Sequence, residues 1–253
     1  MKKDLYQIME LCLLAGKIML ASGGETYRVE DTMGRIARAY SASDSHSYAT
    51  PTGIFLTIKG EHSSDELTKF IRITERSINL NKVVLVNDLS RKISSGQMTI
   101  DEAYLKLKEV EDAKPLYSNM LQVLAAALAS GFFTLMFEGI WMDFLPSFLA
   151  GGVGFTVFII THKMAKIKFF AEILSSTLIG LLAYFLVNVG LGSSLDKIII
   201  GSVMPLVPGV LITNAVRDLM AGDLVSGLAR GAEGLFTSLG LGVGIAVVIA
   251  LFG

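Results

Sequence analysis

Apolar and polar positions follow two different rhythms along this chain. Leu5, Ile8, Met9, Cys12, Gly16 and Met19 recur at helical spacing and predict an amphipathic helix packed on its own domain. After a Gly23-Gly24 break, Val29, Met33, Ile36, Ala37 and Tyr40 form the apolar stripe of a second helix, with Arg28, Asp31, Arg35 and Arg38 on its other faces. The period then shortens. Ser45 to Thr50, Gly53 to Lys59 and Phe70 to Thr74 read as strands, the middle one alternating Ile54, Leu56 and Ile58 with Phe55, Thr57 and Lys59. Gly60-Glu61-His62-Ser63 supplies turn chemistry between the last two. Helices are predicted at roughly 80–94 and 100–112, the second opened by a capping box of Thr99 and Glu102. Residues 1–114 therefore read as a small α+β domain with an antiparallel meander.

From residue 115 to 253 the pattern is apolar and rich in glycine. About five stretches approach the roughly 20 residues that a bilayer crossing requires: Leu116–Phe137, Phe144–Thr161, Phe169–Val189, Ile198–Val216 and Ala232–Gly253. The expected class is a membrane all-α bundle of about five transmembrane helices preceded by a small cytosolic α+β domain. Orientation follows from the connections. His162 to Lys168 is basic, whereas Glu138 to Asp143 carries two acids and no base, so the positive-inside rule puts the first domain and the 162–168 loop in the cytosol. Arg217 to Arg230 then falls on the cytosolic side and the C-terminus outside. Gly240 with Gly244, and Gly151, Gly152 and Gly154, mark places where helix backbones approach closely, within one subunit or between subunits.

Charge agrees with this division. The 22 basic and 23 acidic side chains nearly cancel, which points to no nucleic acid, but 16 of each precede Leu116. That asymmetry explains how a chain that is 52% hydrophobic can carry a mean hydropathy of +0.57 and still hold a water-soluble part. A single cysteine, Cys12, excludes an intramolecular disulfide, and three scattered histidines, with His46 and His62 lacking ligand companions, give no expected metal or cofactor. Lys2 and Lys3 ahead of an apolar stretch imitate a signal peptide, but Glu10 and Lys17 interrupt it.

Chemistry concentrates at 204–218. Pro205 and Pro208 each remove a backbone donor inside an apolar span, and Gly209 loosens it further. Carbonyls freed at membrane depth need protein, an ion or cavity water, and transporters use such broken helices to bind substrates. Thr213 and Asn214 follow, then Arg217, suited to an anionic or zwitterionic substrate, and Asp218 and Asp223, suited to a proton. Glu233 is a further pathway candidate, while Glu172 fits an interfacial charge and Trp141 an aromatic anchor. The alternative is a proline kink that only shapes the bundle. In the first domain, Gly23 to Glu30 is a glycine break opening a charged helix. Glu25, Glu30 and Asp31 would oppose a bound anion there, so Glu25, Arg28 and Glu30 read as capping and salt-bridging groups.

Taken together, Gly23-Gly24-Glu25-Thr26-Tyr27-Arg28-Val29-Glu30, Thr50-Pro51-Thr52-Gly53, Val207-Pro208-Gly209, Thr213 to Leu219 and Ala221-Gly222-Asp223 resemble the threonine/serine exporter family, and more narrowly its split YjjP-type members. The resemblance implies a cytoplasmic N-terminal domain, about five spans in a bacterial inner membrane, and a smaller membrane partner of the YjjB type. It also implies export of threonine and serine or of succinate, with Thr50 and Pro51 among the motif residues. The absence of an ATP-binding signature argues against a self-contained primary pump and fits a secondary exporter driven by an ion gradient, expected not to be an enzyme. Two other readings stay open: a membrane-anchored hydrolase or transferase, and a regulatory membrane subunit.

Overall fold

The computed structural model describes residues 2–60, 66–164, 167 and 169–252. The chain divides into two compact units, one of Met1–Pro115 with Val210–Ala232 and one of Leu116–Gly209 with Glu233–Gly253. The predicted turn residues Glu61, His62 and Ser63, and Ala165, Lys166 and Lys168 of the basic connection, lie outside the described residues.

The first unit opens with α1 (Lys2–Ala21) and α2 (Thr26–Ala39), which a positive φ at Gly23 (+90°) allows to turn sharply on each other. Strands β1 (Asp44–Thr50), β2 (Gly53–Lys59) and β3 (Glu66–Arg72) form an antiparallel meander in sequence order. The third strand is shifted from the predicted Phe70–Thr74. The register that pairs Lys59 with Glu66 and Gly53 with Arg72 fixes its ends, so Ile73 and Thr74 fall beyond it. Helices α3 (Leu80–Ser94) and α4 (Ile100–Asp112) follow. The capping box at the start of α4 is present in both directions: Thr99 accepts from the Glu102 amide and Glu102 accepts from the Thr99 amide.

The predicted stripe of α1 is buried as expected, and burial extends beyond it: Leu11, Leu13, Leu14 and Ala15 are also buried, with the inner face of β2 (Ile54, Leu56, Ile58), Met33 and Ile36 of α2, and Leu107 of α4 in the same core. At Gly16 a Cβ would stand 2.5 Å from the Met33 sulfur, so glycine sets how closely α1 and α2 approach. Burial also drives the Cys12 thiol up to about 12, which leaves it an inert core group.

The second unit contains α5 (Asn119–Met136), α6 (Trp141–Met164), α7 (Phe170–Asn188), α8 (Leu195–Val203) and the C-terminal part of α10 (Leu224–Phe252). Among the described residues, four helices are long and apolar enough to cross a membrane, or five if the pair formed by α8 and α9 (Gly209–Ala221) is one broken span. Small residues let these helices meet. A Cβ on Gly201 would strike Thr134 at 1.9 Å, and one on Gly151 would strike Ser130 at 2.0 Å. Hydroxyls bond across the same contacts: Thr134 to Ser147, Ser130 to the Ser202 carbonyl (3.4 Å), and Ser202 to the Ser147 carbonyl (3.3 Å). Gly154, Gly240 and Gly244 likewise pack inside this unit, against Ile179, Ile173 and Ser176. Asp143, expected in an external connection, is instead fully buried in the first turn of α6. It accepts the Ser193 and Ser194 amides at 2.6 and 3.2 Å and so pins the loop that precedes α8.

Candidate functional site

The predicted break at 204–209 is where the backbone changes course. α8 ends at Val203, a single 3-10 turn covers Met204–Leu206, Val207 is extended (φ −63°, ψ 131°), and α9 begins at Gly209. The missing amide of Pro208 and its steric effect on Val207 account for the interruption. A Cβ on Gly209 would meet nothing within 4 Å, so the proline rather than the glycine enforces the break. The segment expected as a cytosolic connection, 217–230, is largely helical: α9 runs to Ala221, Gly222 turns at φ +91°, and α10 starts at Leu224.

The first unit holds this helical hairpin against the α1–α2 corner, and there the two sequence motifs meet. Helix α2 has Glu25 as its N-cap residue, yet no side chain of its own caps it. Asp218 of α9 does so instead. Its carboxylate accepts the Thr26 amide and the Thr26 hydroxyl, each at 3.1 Å. An anion therefore does sit at this helix N-terminus, and it is the protein's own. The acids Glu25, Glu30 and Asp31, expected to repel one, do not prevent it because Arg230 stands 3.0 Å from the same carboxylate. Asp218 is 0% and Arg230 3% exposed.

Two carbonyls left free by the corner are also answered from the hairpin. Asn214 donates to the Gly23 carbonyl at 2.8 Å and Arg230 to the Gly24 carbonyl at 2.7 Å. Ser226 of α10 donates to the Ala49 carbonyl (3.2 Å), while the Ala49 amide donates to Glu30 (2.7 Å). Ala49 precedes Thr50-Pro51-Thr52-Gly53, which is the tight turn between β1 and β2, with Thr50 paired to Gly53. Proline in the first central position suits that turn. A Cβ at Gly53 would stand 2.6 Å from the Phe70 ring and 3.1 Å from the Ile71 carbonyl oxygen, so a larger residue there would have to displace that ring.

Charge at this corner is unevenly compensated. Buried Glu25 pairs with Arg217 and, at 3.4 Å, with Arg28. Burial opposes its charge, but hydrogen bonds from its own amide and from Arg217, with the nearby Arg28, outweigh that and hold the carboxyl below the usual range. Glu30 goes the other way. Burial raises it, and the charges of Asp223 and Asp218 add to this against the Ala49 amide. Asp223 is likewise raised by burial and by Asp218. Four acids (Glu25, Glu30, Asp218, Asp223) thus face three arginines (Arg28, Arg217, Arg230).

Of the residues singled out from sequence, the structure brings together Glu25, Arg28, Glu30, Asn214, Arg217 and Asp218, and sets Asp223 at the turn beside them. Thr213 is exposed on the other side of α9. Pro205, Pro208, Gly209 and Glu233 belong to the second unit, where Glu233 is half-buried. Thr50 and Pro51 serve the β1–β2 turn. Arg230 and Ser226 escaped the sequence reading. The available signal was a lone arginine in an otherwise apolar helix, twelve residues beyond an aspartate across a glycine turn.

A family model described as "Putative threonine/serine exporter" matches residues 10–252. A Mycobacterium tuberculosis protein named "Probable threonine/serine exporter" is 22% identical over 95% of this chain, which spans 45% of that relative. A Klebsiella aerogenes protein named "Probable succinate transporter subunit YjjP" is 26% identical over 100% of this chain and 96% of its own length. The Kluyveromyces lactis "Pheromone-regulated membrane protein 10" is 24% identical over 99% of this chain, which spans 26% of the yeast protein. The chain thus spans less than half the length of the Mycobacterium and Kluyveromyces relatives. No solved structure matches it.

Proposed function

Since this chain belongs to the threonine/serine exporter family, we propose that it is one subunit of a secondary-active exporter that acts with a smaller YjjB-type membrane partner. Its cargo is a small amino acid such as threonine or serine, or a dicarboxylate such as succinate. It resides in the bacterial cytoplasmic membrane with residues 1–114 in the cytosol.

The observation that carries this reading is the joining of the α2 motif to the helix beyond the membrane break through Asn214, Arg217, Asp218 and Arg230. Arg217 is the group most suited to cargo. Its side chain is still 57% exposed while it holds the Glu25 carboxylate. Glu25 stands where a substrate carboxylate would bind, so cargo arrival and release of Glu25 are one exchange of like for like. The acids in excess of arginines give the same corner a place for a proton, at Glu30 or Asp223, which suits coupling to a proton gradient.

The test is efflux of labelled threonine, serine and succinate from cells lacking related exporters, with the chain expressed alone and with its partner. Efflux of one cargo only when both are present is the expected result. No efflux in any combination, with both proteins in the membrane, would overturn the proposal. Arg217→Gln is expected to abolish most efflux without loss of expression.

A further inference from the structure

The hairpin of α9 and early α10 has two faces, and among the described residues only one is occupied. Asn214, Asp218, Ser226 and Arg230 turn inward to the corner just described. The opposite face carries Ile212, Val216, Met220, Leu224, Val225 and Leu228, each between 43% and 83% exposed. Positions 212, 216 and 220 succeed one another at four-residue spacing, so they form one stripe on α9, and 224, 225 and 228 share a side of α10.

Lipid tails would be the ordinary cover for such a face, but length argues against them here. Helix α10 has 29 residues, about 43 Å at ~1.5 Å per residue, while a hydrocarbon core of ~30 Å needs only about 20. The stretch after Glu233 contains no charged residue and supplies that crossing by itself. The residues before it, 224–232, include Arg230 and belong to the compact first unit. Apolar side chains outside the hydrocarbon need protein to cover them.

We propose that the part of this face beyond the predicted span end at Val216 is the docking surface for the exporter's second membrane polypeptide, which lays an apolar helix across Met220, Leu224 and Leu228. The inference rests on the two-component reading above. A non-identical partner is favoured over a second copy because the Mycobacterium relative carries more than half of its length beyond the matched region, in the same molecule. The Klebsiella relative of nearly equal length is named a subunit.

The experiment places a photo-crosslinking amino acid at Met220 or Leu228 of the full chain, co-expressed in bacterial membranes with a tagged YjjB-type subunit. Leu239 and Val243, exposed on the charge-free part of α10, serve as controls. Adducts to the tagged subunit from 220 and 228 are expected. Met220→Asp combined with Leu228→Asp is expected to reduce the co-purified subunit at least about tenfold while the chain stays in the membrane. If that variant fails to insert, the crosslinks from the unaltered chain decide. Adducts only to lipid, or only to a second copy, with the subunit still co-purifying, would overturn this surface and leave the two-component reading standing. Failure of the subunit to co-purify with the unsubstituted chain would overturn both.

Discussion

Removing one partner of a buried ion pair strands the other charge, which costs more than the pair contributes. Arg230→Met leaves Asp218 buried beside Asp223 and Glu30, and is expected to destabilise the chain by about 3–5 kcal/mol. Asp218→Asn added to Arg230→Met removes the stranded charge and is expected to recover much of that loss. Thermal unfolding of the purified protein in detergent checks both, and a double variant no better than Arg230→Met would contradict the pairing. Glu30 behaves oppositely. An acid whose folded pKa is raised contributes its full stability only below the ordinary carboxylate value of about 4.3, and loses it as pH rises through the folded value. Glu30→Gln keeps an oxygen for the Ala49 amide and removes the charge, so it should raise the melting temperature near neutral pH, the gain shrinking as pH falls through the raised folded value and gone below about pH 4. Glu25→Gln has the reverse sign: its cost appears at neutral pH and fades as pH falls through the depressed value of Glu25.

Helices in the second unit are positioned by what their glycines admit. A Cβ on Gly244 would lie 2.0 Å from the Ser176 hydroxyl and 2.5 Å from the backbone oxygen of Ile173, and backbone cannot yield. Gly244→Val is expected to separate α7 from α10 and abolish the monodisperse peak in size-exclusion chromatography. Gly242→Ala, where a Cβ meets nothing within 4 Å, should be tolerated. The break at Val207-Pro208 is the other element-level device. Replacing Pro208-Gly209 with Ala-Ala permits α8 and α9 to join, and efflux is expected to fall while expression holds. Unchanged efflux would remove the break from the mechanism. These features differ in how visible they were beforehand. The prolines announced the break because a missing donor is local, whereas Gly242 and Gly244 look alike until a neighbour is present.

The molecule as a whole distributes its sequence between two units in a way that no single boundary in the chain describes. Residues 210–232 are apolar enough to read as span and connection, yet they pack with the α+β unit because Asn214, Asp218, Ser226 and Arg230 find partners there. Cooperation between the motif at 23–30 and the hairpin is therefore expected in the export cycle. The two-chain efflux measurement bears on it most directly: Asp218→Asn and Glu25→Gln should reduce export of the same cargo with the partner still bound.

Periodicity and composition determined the element types in nearly every case, since helical and strand spacing, the Thr99 capping box and the long apolar runs are all local signals. The family was legible separately, through the resemblance carried by motifs that lie in order along the chain. Only the tertiary structure decided that burial on α1 extends past its stripe to Leu11, Leu13, Leu14 and Ala15, that β3 begins at Glu66, and that Asp218 caps a helix 192 residues away. The physical reason is common to all three. Burial, register and the partner of a charged group are set by what arrives from elsewhere in the chain, and a local pattern records only that an interaction is needed, not which residue supplies it.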